Sequence, residues 1–380
     1  EVAAVQQAGV VKGVIKDELR RMKKEYGVPR KTEISETIKE IKIDQTDLIT
    51  KEDVIIVLTN DGYLKRVPIK SHNSADGETA LKPGDYVICY KQTNTLNKLC
   101  VFTSRGNYLY LPIHEIPSCK WKDLGKHISN FVTISPDDKA VNAFIINENV
   151  TNPEVTMFTH EGMVKRTNLN DFIVSRYSKA YTAMKLKDTD EVVNVCITKP
   201  NVLIVTKTGY YLNYMASEIP LSGPKAAGVK GINLKDDNVI SGICYSEKDE
   251  YIDIFTNQKT AKRVKLSELN MLSRAKRGTT LIKKVKSTNY EIIKAFSTST
   301  KDIIGIKSKD DIYLVKNSDI PIMDKESTGS VILKQTISDV FITQEVDIIK
   351  DEDIELPKIK KEEEKIQELT IDDFLNDFKL

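Results

Sequence analysis

The sequence predicts an all-β fold: a propeller-like disc of six four-stranded blades, with an α-helix before it and an acidic disordered tail after it. Three observations carry this reading. After about residue 50, short β-branched runs alternate with turn signals and no long helical pattern intervenes. A strand–turn–strand pattern recurs six times, beginning at Val54, Lys98, Glu154, Asn201, Tyr251 and Asp302. Glycine stands in four of the six turns, at Gly62, Gly106, Gly162 and Gly209, where it reaches positive φ at little steric cost. Matched hairpins about 50 residues apart indicate radial repetition of small sheets.

Each segment follows in order. Residues 1 to about 26 read as a helix, with Val11, Val14, Ile15, Leu19 and Met22 at helical spacing and Gly27 and Pro29 as stop signals. The spans expected are a helical segment over 1–30, a connector over 31–50, the disc over 51–344 and the tail over 345–380. The fifth and sixth hairpins put Lys259 and Asp310 where the others have glycine, which predicts different turns. The tail holds 13 acidic against six basic residues and has no strand pattern. Near its end, Ile371, Phe374, Leu375 and Phe378 have helical apolar spacing.

The hairpins fall into two classes. The first, third and fifth carry Lys65-Arg66, Lys165-Arg166 and Lys262-Arg263, where the others carry Leu109-Tyr110, Leu212-Asn213 and Tyr313-Leu314. The even units then end in "HEIP", "SEIP" and "SDIP". A two-hairpin unit of about 100 residues is therefore used three times.

Composition narrows the function classes. The net charge of +2 conceals a basic body and an acidic tail, a distribution that suits a polyanionic partner. Five scattered cysteines without a CxxC, and four histidines without ligand spacing, predict neither a disulfide framework nor a metal site. No apolar run approaches the ~20 residues of a membrane span, and the N-terminus lacks the pattern of a signal peptide. No GxSxG, Walker A or HExxH motif occurs, so no catalytic residue is expected.

The candidate DNA contacts are the three Lys-Arg pairs, reaching outward at strand ends near a rim. Added to them are Arg274, Lys276 and Arg277 of "SRAKRGTT", and Lys225 and Lys230 of "GPKAAGVKGINL". A curved row of cations neutralises a bent phosphodiester backbone without reading bases. Ordinary solvated charge is the competing account of the pairs, and turn geometry alone is that of the glycines. Trp121, within "CKWKDLGKH", reads as a core or inter-blade plug. A protein-interaction scaffold is the alternative from another function class.

These motifs resemble the C-terminal domain of bacterial type IIA topoisomerase A subunits, the family of gyrase and topoisomerase IV. The resemblance rests on the "FTxxGxxKR"-type hairpins, "AAGVKGINL" (226–234) and "AKRGTTLIKKVK" (275–286), and covers roughly residues 10–340. It implies a β-pinwheel whose strand order departs from a true propeller, entered by a helical arm from the cleavage core. It also implies a non-catalytic, DNA-binding and DNA-bending part of an ATP-dependent isomerase. The implied partners are double-stranded DNA, the cleavage core of the same polypeptide and the ATPase subunit. No cofactor is implied here; ATP and magnesium would act on other domains or subunits, in a bacterial cytoplasm at the nucleoid. The place of gyrase's glutamine-arginine-glycine-rich box reads "PIKSHNSADGETALKPGDY" (68–86) and lacks it. With "LPIHEIPSCKWKDLGKHIS" (111–129), this favours the topoisomerase IV branch of low-GC Gram-positive bacteria, with gyrase as the runner-up.

Overall fold

A computed structural model of the chain describes residues 2–29 and 49–344, apart from 76, 149, 188 and 310. The connector lies mostly, and the tail wholly, outside the described residues. Two compact units are separated, 1–48 and 49–380.

The first unit contains helix α1 (Val2–Tyr26). Val11, Val14, Ile15, Leu19 and Met22 are all exposed on it. The helix stops at Gly27, whose N–H still reaches the Lys23 carbonyl, and where a Cβ would lie 2.1 Å from that oxygen.

The second unit is the disc. The strands run β1 (Asp53–Thr59), β2 (Tyr63–Pro68), β3 (Val87–Asn94), β4 (Lys98–Thr103), β5 (Asn107–Pro112), β6 (Lys126–His127) and β7 (Ala140–Ile146). They continue as β8 (Glu154–Thr159), β9 (Met163–Asn168), β10 (Tyr181–Thr182), β11 (Val192–Ile197), β12 (Asn201–Thr206), β13 (Tyr210–Met215), β14 (Val229–Lys230) and β15 (Val239–Tyr245). The last are β16 (Tyr251–Thr256), β17 (Thr260–Lys265), β18 (Thr279–Thr280), β19 (Ile292–Thr298), β20 (Ile303–Ser308), β21 (Asp311–Lys316), β22 (Ser330–Val331) and β23 (Asp339–Ile342).

Six antiparallel sheets result, with order β3-β1-β2-β6 in the first and β10-β5-β4-β7 in the second. The fourth strand of each blade is not its own. β6 completes blade 1, yet it follows the hairpin of blade 2; β10, β14, β18 and β22 repeat the exchange around the disc. This departure from simple propeller order is the one the family resemblance implies. Four-stranded blades are found five times. Blade 6 has three strands, β21-β20-β23, among the described residues, and the six-bladed disc expected from the repeats is borne out. Each of the other blades takes its outermost strand from the stretch after the next hairpin, and blade 6 is the last hairpin among the described residues.

Strands β3, β7, β11, β15, β19 and β23 pack against one another and so line the centre. Side chains join them there: Asn142 Nδ2 donates to the Val195 carbonyl at 2.8 Å, and Asn194 Nδ2 to that of Gly242 at 2.7 Å. The inner edge closes where Tyr86 stacks on Phe341 at 3.8 Å and donates its hydroxyl proton to Asp339 at 2.8 Å. Between the blades, apolar clusters draw on both neighbours: Leu58 and Leu64 with Leu99 and Leu109, for example, or Leu203 and Tyr211 with Ile252 and Ile254. Both faces of a blade are thus buried, which accounts for the nearly continuous apolar runs of the central strands.

The hairpin turns bear out the glycine reading, with Gly62 at φ 86 and Gly209 at φ 89. Lys259 adopts the same region at φ 64 in blade 5, whereas blade 6 has a shorter turn in which Ser308 pairs with Asp311. A linker aspartate caps each of the first four turns: Asp85, Asp138, Asp190 and Asp237 accept the N–H of Asp61, Arg105, Glu161 and Thr208.

Candidate nucleic-acid interface

The three Lys-Arg pairs do not lie on the rim, which corrects their expected placement. Lys65, Lys165 and Lys262 are 2%, 0% and 1% exposed. Lys65 Nζ donates to the Trp121 carbonyl at 2.7 Å, the Asp123 carbonyl at 2.5 Å and Thr79 Oγ1. Lys262 Nζ donates to the carbonyls of Leu281, Lys325 and Ser327 at 2.8, 2.5 and 2.7 Å, with that of Asp324 at 3.3 Å. Lys165 Nζ donates to the Ala183 carbonyl. Burial lowers all three pKa values, to about 8 for Lys165 and about 7 for Lys262. Carbonyl oxygens around a desolvated ammonium favour its charged form and partly offset that cost.

The arginines point the other way, as neighbours on a strand must. Arg263 is 6% exposed and donates from Nε to the Ile320 carbonyl at 2.7 Å and from Nη2 to that of Ser318 at 3.2 Å. Arg166 Nη1 donates to the Ala216 carbonyl at 3.1 Å, and its Nε lies 3.3 Å from Glu154. These acceptors stand in the 3-10 turns that follow the hairpins of the next, even blades: Ala216–Glu218 and Asn317–Asp319, with Ile320 beside the latter. The backbone reinforces the join. Arg66 N–H reaches the Pro117 carbonyl at 3.4 Å, and Arg263 N–H that of Pro321 at 2.8 Å. The basic pair of each odd unit and the "IP" of each even unit are therefore two sides of one contact. Asn213 makes the corresponding contact between blades 4 and 5, where its Nδ2 donates to the Leu269 carbonyl at 3.2 Å.

The other candidates lie elsewhere. Lys225, Lys230, Lys276 and Arg277 are exposed, and all four belong to the loops that carry donated strands β14 and β18. Arg274 is half-buried and holds two such loops together: Nε donates to the Glu218 carbonyl at 2.9 Å and Nη1 to that of Lys230 at 2.6 Å. The glycines here serve packing. A Cβ on Gly228 would lie 2.3 Å from the Val164 carbonyl, and one on Gly278 2.1 Å from that of Tyr211. Trp121 is buried, with its indole N–H on the Gly77 carbonyl at 2.9 Å, as an internal plug requires.

Donated strands are outermost in their sheets, so their loops form the rim. The loop completing blade 1 presents Lys120, Lys122 and Lys126, and that completing blade 2 presents Arg176 and Lys179. Blades 3 and 4 follow with Lys225, Lys230, Lys276 and Arg277. Arg277 lies 4.8 Å over the Tyr210 ring, with Lys284 5.6 Å from it. On blade 5 the loop carries exposed Asp324 and Glu326 around Lys325, and the basic track ends. Arg176 and Lys179 were not singled out from sequence. Their signal is position: each lies in the stretch after a hairpin's 3-10 turn, and with β10 set against β18, Arg176 aligns with Arg274 and Lys179 with Arg277.

Comparison with known proteins follows the same outline. A family model described as the DNA gyrase C-terminal domain, beta-propeller, matches residues 53–71, 97–147, 153–198, 200–243 and 251–299. The A subunit of DNA topoisomerase 4 from Bacillus subtilis (strain 168) is 36% identical over 322 residues, covering 83% of this chain and 40% of that protein. Its counterpart from Staphylococcus epidermidis is 36% identical over 74% of this chain and 35% of its own length. The chain thus spans about two-fifths of these relatives. The crystal structure of the C-terminal domain of DNA topoisomerase IV superimposes with a TM-score of 0.74 at 36% identity, over 77% of this chain and 94% of that one. A DNA gyrase A C-terminal domain shares the fold at 20% identity and a TM-score of 0.57, over 77% of this chain and all of that one.

Proposed function

This chain belongs to the DNA gyrase C-terminal domain family, and from that premise we propose that its disc binds and bends double-stranded DNA for the A subunit of a topoisomerase IV. The observation that supports this most is the basic track. Four successive donated loops bring exposed cations to the outermost position of blades 1 to 4. An arc of point charges on a convex edge fits a bent phosphate backbone, and contacts to phosphates position the duplex without reading its sequence.

The bent segment would be handed to the cleavage core of the same polypeptide for strand passage, with ATP hydrolysed on the ATPase subunit. The disc contributes no reacting group to that cycle. The test is a titration of unrelated duplexes of equal length over a range of salt. Near-equal affinities that fall steeply with salt are expected. Binding no better than a charge-matched control protein, or affinity set by sequence, would overturn the reading.

A further inference from the structure

The contact between blades 6 and 1 is unlike the other five. Leu314 on β21 is 58% exposed, whereas Tyr110 and Asn213, at the same position in blades 2 and 4, are 0% and 1% exposed. Elsewhere the following chain runs across this position, as Met271 does in its bridge to Asn213; among the described residues nothing crosses Leu314. A groove of about 340 Å³ opens beside it, with Ile312 and Leu314 on one wall and Val57, Leu81, Tyr90 and Trp121 on the other. Tyr86 and Phe341 also line it, and they are the pair that closes the inner edge.

We propose that this groove seats the chain's own C-terminal segment, with Ile371, Phe374, Leu375 and Phe378 entering it. Three features of the molecule select that occupant. The described chain ends at Gln344, which itself lines the groove, so the remaining 36 residues start at its mouth. Between Gln344 and Ile371 lie 26 residues, and a coil of that length has a root-mean-square span of roughly 25–30 Å, ample for a return to the point of departure. Spacing of i, i+3, i+4 and i+7 is the pattern by which an amphipathic segment fills an apolar groove. Asp372, Asp373 and Asp377 flank those positions, and exposed Lys309 before β21 and Lys316 at its end stand outside the groove, opposite the wall that carries Glu78 and Asp85. The segment would cover the open sixth blade and latch the last blade to the first.

The test uses the full chain without DNA, so its outcome is separate from that of the rim proposal. With p-benzoylphenylalanine in place of Leu314, irradiation should give a cross-link within one chain to the peptide containing 371–378. Phe374→Asp with Leu375→Asp should abolish that product and speed proteolysis after Lys365 severalfold, with the circular dichroism spectrum unchanged. A cross-link between two chains would assign the groove to a second copy and overturn the proposal. So would cross-linking only to other segments, or none, or proteolysis that the double variant leaves unchanged.

Discussion

Arg263 in the fifth blade donates its Nε–H to the Ile320 carbonyl beside the sixth at 2.7 Å, with the guanidinium almost wholly buried. Arg166 also bonds across the junction of blades 3 and 4, from Nη1 to the Ala216 carbonyl. The repeated Lys-Arg pair is therefore architectural. Its lysine secures loops, Arg166 and Arg263 couple an odd blade to the even blade after it through their side chains, and Arg66 does so through its backbone N–H on the Pro117 carbonyl.

Removal of the buried ammonium should cost stability before it costs affinity. Lys262→Met leaves four carbonyl oxygens without their donor, and unmade buried hydrogen bonds cost about 1–3 kcal/mol each at most, less after relaxation. Urea denaturation should show a loss of roughly 2–4 kcal/mol, while an exposed-rim Lys276→Met change stays within about 0.5 kcal/mol. Equal midpoints for the two variants would contradict the structural role of Lys262.

Blade 5 should be least stable near neutral pH. Burial raises Asp253 to about 7, opposed by the Thr298 hydroxyl and by Arg263, its register partner. The folded state then binds the proton more tightly, so this group's contribution to stability falls as pH rises from about 4 to 7. Lys262 is lowered to about 7, so the unfolded chain binds more protons between 7 and about 10.4 and stability rises across that window. Asp253→Asn should flatten the acid limb of a stability–pH profile and Lys262→Met the alkaline limb. Parallel profiles for wild type and both variants would contradict these shifts.

The hairpins, the turn glycines and the two classes of blade were legible because each repeats a pattern of six residues or more. Donated strands were not. Each is two residues long, too short for a period, and pairs with a blade one hairpin back in the chain. Packing between neighbouring blades buries both faces of the sheets inside the ring. Lys65 and Arg66, on opposite faces, then each meet an interface instead of solvent. Lys276 and Arg277 were found from sequence because glycine marks their loop; Arg176 and Lys179 have Ala180 there and were missed.

Local charge should set local contact. Reversing Asp324 and Glu326 to lysine extends the basic track onto blade 5. The DNA length protected from hydroxyl radicals should grow by several base pairs, because the added blade continues the arc. An unchanged footprint would place the DNA path off the rim loops.

Chiral wrapping should be weak. The segment between β2 and β3 holds a short helix, α2 (Ile69–Asn73), and Thr79 bound to Lys65 and the Trp121 carbonyl, in place of a basic box. Ligation of nicked circles with saturating protein should leave linking number nearly unchanged relative to a gyrase control. A large shift of either sign would contradict this.

The rim claim is tested most directly by DNA affinity of one variant, Lys225→Glu, Lys230→Glu, Lys276→Glu and Arg277→Glu combined. All four side chains are exposed, so the disc should remain folded by circular dichroism. If the donated loops carry the DNA, affinity should fall at least tenfold, and the slope of log affinity against log salt should shrink by about three to four. Wild-type affinity and slope in the folded variant would contradict it.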